Sequence, residues 1–151
     1  MKTNNMYFIR NKKVKIPERS GLNAGIDFFI PKNFKNYILK PGTQIKIASG
    51  IHVRIPKNHC LIAFNKSGIA VKHGLQVGAC VIDENYTGEI HLNLFNVGNK
   101  DVLLKANQKI VQFILLKPNY IDLKECDSKE KLYKNFNITE RGENGFGSTN
   151  K

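Results

Sequence analysis

Apolar residues recur at every second position through the middle of this chain, and this period of two constrains the fold more than any other feature. Ile45 and Ile47 alternate with polar neighbours, and Ile51, Val53 and Ile55 repeat the pattern after a Ser-Gly turn. Alternate side chains of an extended strand point to opposite faces, so such a segment buries one face and exposes the other. The central region is therefore predicted to consist of successive short β-strands.

The same reasoning predicts further strands towards the C-terminus. In the first of them Cys60, Ile62 and Phe64 occupy alternate positions. Short polar turns separate the remaining segments, and Pro118 closes the last of them. The predicted strands of this half are 60–64, 89–96, 102–104 and 110–116.

Only one stretch in the middle of the chain favours a helix. It covers 67–73, with Ser67 as a candidate N-terminal cap and Gly74 as its end. Many short strands without an internal repeat or a linker are typical of an all-β sandwich or jelly roll. A length of 151 residues and a mass of 17.1 kDa fit a single domain.

Charge favours an anionic partner without naming it. Lys and Arg number 24 against 12 Asp and Glu, which gives a net charge of +12 and a pI near 9.7. The lysines are scattered along the chain, and a coding bias towards Lys, Asn and Ile produces the same excess without any function. We therefore expect no specific nucleic-acid partner.

The cysteine and histidine spacings exclude the common metal and redox motifs. Cys60, Cys80 and Cys126 are odd in number and form no Cys-x-x-Cys pair, which predicts a reduced, intracellular protein. No segment approaches the roughly 20 apolar residues of a membrane span, and the N-terminus does not read as a signal peptide. The four histidines, which lack metal-ligand spacing, are His52, His59, His73 and His91.

The C-terminal tail, 141–150, combines glycines with an Arg, one aromatic ring and hydroxyl groups. Such a segment has high chain entropy and little to bury, so it reads either as a frayed end or as a mobile clamp for phosphate and base. We expect residues 1–140 to form the β core and 141–151 a flexible lid. The tail alone does not decide between these two roles.

Four other segments precede the tail in a fixed order. They read Ala-Gly-Ile-Asp at 24–27, Lys-Ser-Gly-Ile-Ala at 66–70, Gly-Ala-Cys-Val-Ile-Asp-Glu-Asn-Tyr-Thr-Gly-Glu at 78–89 and Lys-Ile-Val-Gln at 109–112. Together with the tail they resemble the five ordered motifs of the trimeric dUTPase family. The resemblance spans nearly the whole chain and implies the jelly-roll-like fold of that family.

The resemblance implies a reaction as well as a fold. Members of the family hydrolyse dUTP to dUMP and pyrophosphate, which limits uracil in DNA and supplies dUMP for thymidylate synthesis. Asp83 matches the Asp that activates the water attacking the α-phosphorus, and Tyr86 matches the ring that packs on deoxyribose and excludes a 2′-hydroxyl. Read without the resemblance, Asp83 is a solvated turn residue and Tyr86 a core aromatic.

The remaining site residues are assigned by the same resemblance. Main-chain groups around Cys80, Val81 and His91 read uracil, although Cys80 and His91 stand where glycines are frequent. Asn85 stands where the family often has Asp, with a modest effect expected. Residues expected to hold the phosphates or close the site are Lys66 in place of an Arg, Ser67, Gly68, Gln112, Arg141, Phe146, Gly147, Ser148 and Thr149.

Mg²⁺ and a homotrimer complete the set of expectations. Mg²⁺ commonly bridges triphosphate oxygens with few protein ligands, and Asp27 is the residue expected to contact it through water. A structural Asp in a tight turn is an equally good interpretation of Asp27. The resemblance also implies active sites shared between chains of the trimer, with the tail reaching across.

Two alternatives belong to other functional classes. A dCTP deaminase shares the general fold and the trimer, but the Val-Ile-Asp-x-x-Tyr order at 81–86 is of the dUTPase type. The second alternative is a non-catalytic nucleotide-sensing or nucleic-acid-binding protein on the same scaffold. Release of ammonia, release of pyrophosphate and DNA binding separate the three.

Overall fold

The structure is a computed structural model that describes residues 5–135, 137 and 142. The chain divides into two compact units, Met1–Pro118 and Asn119–Lys151. The described part of the first unit contains eleven strands and one helix: β1 Tyr7–Arg10, β2 Ile26–Phe29, β3 Tyr37–Leu39, β4 Gln44–Ala48, β5 Ile51–Arg54, β6 Cys60–Asn65, α1 Ser67–His73, β7 Leu75–Val77, β8 Val81–Ile82, β9 His91–Asn96, β10 Val102–Leu104 and β11 Lys109–Leu116.

All described strand pairs are antiparallel and form four small sheets. The largest has the order β2-β11-β6-β8, and a three-stranded sheet has the order β4-β9-β7. Two-stranded ribbons pair β1 with β5 and β3 with β10. Neighbours in each sheet are mostly distant in sequence, as in sandwiches and jelly rolls, so the all-β prediction is confirmed.

The hydrophobic core draws on most of these strands. Phe28 of β2 and Phe113 of β11 are almost completely buried, with ring centroids 4.5 Å apart. Burying one large apolar side chain contributes about 1.5–3 kcal/mol, so this core stabilises the sheets that carry the loops described below. Other fully buried side chains are Ile30, Leu39, Ile51, Leu61, Leu75, Ile90, Leu92, Leu94, Leu104 and Ile110.

The predicted strands and the predicted helix are confirmed, with two corrections. In β6 the inward face carries Leu61 and Ala63, whereas Phe64 of the predicted alternation is 41% exposed. The predicted cap Ser67 is instead the first helical residue, and Lys66 occupies the cap position, where its side chain makes no capping hydrogen bond. Gly74 ends the helix as expected, in the left-handed conformation with φ 62°.

The second unit has little regular structure in its described residues. Its helix, α2, covers Lys129–Leu132, and the Ser128 side chain caps it by accepting a hydrogen bond from the Lys131 amide. The predicted lid residues Arg141, Phe146, Gly147, Ser148 and Thr149 lie outside the described residues. Within the part of the chain that is described, neither helix is long and apolar enough to cross a membrane.

Candidate active site

A cavity of about 300 Å³ surrounds the turn that follows β8, and we call it the Asp83 cavity. It collects the predicted base, the predicted sugar-packing ring and all three predicted uracil readers. Its lining includes Cys80, Val81, Asp83, Tyr86 and His91. The strands β8 and β9 therefore bring together five residues that the sequence spreads over 80–91.

Asp83 occupies the first position after β8. Pairing of Leu61 with Ile82 fixes the strand end, and the Tyr86 amide donates to the Asp83 carbonyl at 3.1 Å, closing a turn. Its side chain is exposed, and among the described residues no group donates a hydrogen bond to the carboxylate. A carboxylate with free lone pairs on a rigid turn is suited to accept a proton from water.

Tyr86 folds back over its own turn instead of entering the core. Its hydroxyl donates to the Glu89 carbonyl at 3.0 Å, and the residue is 44% exposed. A Cβ at Gly88 would lie 2.4 Å from that hydroxyl, so a side chain at Gly88 would displace the ring. The ring face consequently remains available to a ligand in the cavity.

The backbone conformation at Cys80 and His91 is compatible with main-chain recognition of uracil. Among the described non-glycine residues, positive φ occurs only at Asn58, Asn107 and Asn135. Cys80 and His91 thus adopt ordinary backbone conformations that any residue tolerates, so replacement of glycine there needs no strain. The Cys80 carbonyl already accepts a hydrogen bond from the Ala63 amide at 2.8 Å.

Asn93 is a residue that the sequence analysis missed. Its Oδ1 accepts from the Ala79 amide at 2.9 Å, its Nδ2 donates to the Ile45 carbonyl at 3.0 Å, and its carbonyl accepts from Gly78 at 3.0 Å. A Cβ at Gly78 would lie 1.9 Å from Asn93 Oδ1. Asn93 therefore ties the loop that carries Cys80 to β4 and β9. No sequence motif signals this role.

A second cavity, of about 390 Å³, lies at the start of α1, and we call it the Lys66 cavity. Its positive charge comes from three lysines. Lys66 precedes α1, Lys72 lies within α1, and Lys109 is the first residue of β11. It also contains the predicted phosphate ligands Ser67, Gly68 and Gln112. Cations and hydroxyl donors in one cavity suit a polyphosphate.

A network of ion pairs adjoins the Lys66 cavity. Asp27 contacts the ammonium of Lys66 through Oδ1, and that of Lys109 through Oδ2 at 3.2 Å. Lys109 also contacts Glu18 at 3.0 Å. Hydrogen bonds to Glu18 and then Asp27 raise the pKa of Lys109 above its ordinary value, so the amine stays protonated at neutral pH.

Asp27 lies within β2, opposite Gln112 of β11, and the tight-turn interpretation of Asp27 is therefore wrong. Gln112 donates through Nε2 to the Asn65 carbonyl at 2.7 Å. A Cβ at Gly25 would lie 2.3 Å from Gln112 Oε1, which explains a small residue at that position. The segments 24–27, 66–70 and 109–112 thus meet at one place.

The two cavities remain separate within one chain. No described residue lines both of them, so Asp83 and the lysines of the Lys66 cavity do not share a cavity. The base-and-sugar half and the phosphate half of the expected site are each assembled, but they are not joined.

Comparison with known proteins decides the family. A sequence model of the dUTPase family matches residues 12–150. The chain belongs to the dUTPase family. Deoxyuridine 5'-triphosphate nucleotidohydrolase of Debaryomyces hansenii is 35% identical over 145 residues, covering 95% of this chain and 86% of the relative. The Fusobacterium nucleatum enzyme of the same name is 33% identical over 156 residues, covering both chains completely.

Solved structures support the same fold. The dUTPase of Staphylococcus bacteriophage 80alpha, solved with dUpNHpp, superposes with a TM-score of 0.77 at 23% identity, covering 97% of this chain and 98% of the phage chain. The dUTPase of phage phi11 superposes with a TM-score of 0.73 at 19% identity. The resemblance, the jelly-roll-like fold and the enzyme class, a hydrolase acting on dUTP, are therefore confirmed.

Proposed function

We propose that this dUTPase cleaves dUTP between the α- and β-phosphorus atoms, with Asp83 as the general base. The observation that carries the proposal is the shared cavity of Asp83 and Tyr86, in which a carboxylate that pairs with no described residue lies beside an exposed aromatic ring. The products are dUMP and pyrophosphate. Removal of dUTP limits uracil in DNA, and dUMP feeds thymidylate synthesis.

In the proposed step, Asp83 removes a proton from a water molecule as the water oxygen attacks the α-phosphorus. The bond from the α-phosphorus to the oxygen bridging it to the β-phosphorus breaks, and its electron pair leaves with pyrophosphate. Asp83 then returns the proton to solvent. Negative charge grows on the leaving group, so Lys66, Lys109 and the Ser67 hydroxyl are the groups that stabilise it.

Recognition of the nucleoside is assigned to the Asp83 cavity. Main-chain groups of Cys80, Val81 and His91 read uracil, and Tyr86 packs on the deoxyribose. Cytosine reverses the hydrogen-bonding pattern at the 4-position, which leaves the polar groups that face the base unpaired. From the tail, Arg141 is assigned to the γ-phosphate and Phe146 to the uracil face, with Gly147, Ser148 and Thr149 completing the closure.

The residues fit a magnesium ion held mainly by the substrate. Among the described residues no cluster of three or more His, Cys, Asp or Glu side chains could hold a metal by itself. Mg²⁺ keeps several of its waters when few protein ligands bind it, and Asp27 beside the phosphate cavity is the carboxylate that would contact it through water. When bound, Mg²⁺ would neutralise part of the triphosphate charge.

We further propose a homotrimer whose sites combine the Asp83 cavity of one chain with the Lys66 cavity of another. The separation of the two cavities within one chain supports this arrangement. An intracellular location is supported by the cysteines, because Cys60, Cys80 and Cys126 are all free thiols.

A substrate panel tests the proposed function directly. Pyrophosphate release is expected with dUTP and Mg²⁺, with kcat/KM for UTP, dCTP and dTTP lower by at least about 10²-fold, because each analogue leaves a polar group unpaired or clashes with the pocket. Coupled detection of pyrophosphate measures all four substrates. Ammonia released from dCTP would instead indicate a deaminase, and no turnover of any nucleotide would indicate a binding protein.

Asn93→Leu tests whether the loop tied by Asn93 reads the nucleobase. Leu removes the hydrogen bonds to Ala79 and Ile45 at similar volume, so the loop loosens and kcat/KM for dUTP is expected to fall by about 10-fold, mainly through KM. Discrimination against dCTP is expected to fall as well.

Asn96→Leu is the matched control for Asn93→Leu. Asn96 also binds main chain, but it donates to the Leu39 and Lys100 carbonyls at 2.8 Å and not to the loop that carries Cys80. The Asn96→Leu variant should have lower thermal stability, and its ratio of kcat/KM for dUTP to kcat/KM for dCTP should not change. If this ratio is also unchanged in Asn93→Leu, Asn93 has a purely structural role.

A further inference from the structure

A third cavity, of about 460 Å³, adjoins the Asp83 cavity, with which it shares Lys46 and Glu89, and we call it the basic groove. It lies along β4, between the loop 11–17 and the loop 30–36. Its lining combines cations, amides, one ring and one acid: Asn11, Asn33, Phe34, Lys35, Lys46 and Glu89.

The segments that build the basic groove carry positive charge only. Residues 5–17 contain four cations and no carboxylate, and residues 28–50 contain four more and again no carboxylate. A third of the 24 Lys and Arg residues therefore lie in these two segments, although the lysines look evenly scattered along the sequence. The eight are Arg10, Lys12, Lys13, Lys15, Lys32, Lys35, Lys40 and Lys46.

Main-chain hydrogen bonds hold the two segments together. The Lys32 amide donates to the Lys13 carbonyl at 2.9 Å, and the Asn11 amide donates to the Gly50 carbonyl at 2.8 Å. Among the described residues, Glu89 is the only acid that lines the groove, and it accepts from the Gly50 amide at 2.6 Å. Main-chain hydrogen bonds thus join the two basic segments, and the Glu89 carboxylate already accepts a structural hydrogen bond.

Two of the eight cations are engaged locally, whereas others face solvent. Arg10 donates to the Val14 carbonyl at 2.6 Å, and the Lys15 ammonium lies 5.2 Å from the centre of the Phe29 ring. Lys12, Lys13 and Lys35 are exposed, and no described carboxylate pairs with them. Their charges therefore remain available to an external anion.

We propose that the basic groove binds single-stranded nucleic acid without sequence preference. Lysines along a groove neutralise successive phosphates, and an aromatic ring such as Phe34 offers a base a stacking surface. The Asn11 and Asn33 amides add polar contacts to base edges or sugars. A lipid surface fits less well, since membrane-binding faces are convex and apolar, whereas this site is concave and lined by polar groups.

Charge reversal at the groove tests the proposal against net charge alone. Lys35 lines the groove and Lys13 lies in the adjoining loop 11–17, so the groove variant is Lys13→Glu with Lys35→Glu. The control is Lys100→Glu with Lys117→Glu. All four lysines are exposed, and the control pair lies outside all the cavities described above. Both variants carry the same net charge. None of the four residues belongs to the proposed dUTP site, so both variants should hydrolyse dUTP at the wild-type rate. This activity also serves as the control for correct folding.

Binding is measured by fluorescence anisotropy of an end-labelled DNA strand of about 20 nucleotides, in about 50–200 mM salt. We expect the wild type to bind with a salt-dependent Kd, and the groove variant to bind at least about 10-fold more weakly. The slope of log K against log salt should fall by about 1.4, or about 0.7 for each phosphate that a lysine no longer neutralises. The control variant should remain within about threefold of the wild type, since distant surface charges are screened.

Three outcomes overturn the proposal. Absence of wild-type binding at the lowest salt would show that the groove does not accept a strand. Equal weakening in the groove and control variants would show that net charge alone attracts DNA. Groove-dependent binding to vesicles of anionic phospholipid, without groove-dependent binding to the strand, would assign the groove to a membrane surface.

Discussion

Asp83→Asn is expected to lower dUTP turnover by about 10²-fold or more while leaving dUTP affinity nearly unchanged. The substitution keeps the shape of the side chain, and the turn depends on the Asp83 carbonyl, to which the Tyr86 amide donates. The amide oxygen of Asn is too weakly basic to accept a proton from attacking water. The loss should therefore appear in kcat and not in KM.

Single-turnover kinetics with dUTP separates the two effects, and binding of a non-hydrolysable analogue reports affinity directly. Asp101→Asn is the matched control, because Asp101 is an exposed aspartate that lines neither cavity. It should keep full activity. Near wild-type turnover by Asp83→Asn would remove Asp83 from the proposed mechanism, and an equal loss of analogue binding would mean that Asp83 acts on affinity.

The strands that sequence alone predicts are those in which the period of two coincides with burial. Ile51, Val53 and Ile55 alternate in the sequence and are all buried, so pattern and packing agree. In β6 the apolar residues are continuous, and the pattern does not say which face points inward. In the structure, tertiary packing buries Leu61 and Ala63.

Four of the short strands escaped prediction because they carry little periodic signal. β1 exposes all four of its residues, β8 has only two, and β3 and β7 have three each. Such segments become strands because a partner supplies hydrogen bonds, as β5 does for β1. The sequence of such a segment does not specify its partner strand. One of these strands, β8, positions Asp83.

The site residues could be named by resemblance, but their couplings could not. Asp27, Lys66 and Lys109 are up to 82 positions apart in sequence and form one ion-pair network only after β2 and β11 pair. Asn93 likewise gains its role from two elements remote in sequence. Ordered motifs therefore indicate which residues belong to a site, whereas the hydrogen bonds that position them depend on the fold.

The separation of the Asp83 cavity from the Lys66 cavity leads to the second large effect, recovery of activity from two inactive proteins. Asp83→Asn removes the base, and Lys66→Glu turns a phosphate-binding cation into a carboxylate that repels the triphosphate. Each protein alone should be nearly inactive. Co-refolding equal amounts should produce mixed trimers, whose composition native mass spectrometry measures.

Random mixing makes the expected recovery quantitative. A site shared between chains is intact only when its Asp83 comes from the Lys66→Glu chain and its Lys66 comes from the Asp83→Asn chain. Each condition holds for half of the chains, so about a quarter of the sites in a closed threefold ring should be active. If one chain supplied both residues, every site would carry one of the two substitutions and no mixture would recover activity. Specific activity near a quarter of the wild-type value therefore supports the shared site. If verified mixed trimers recover no activity, Asp83 and Lys66 of each site come from the same chain.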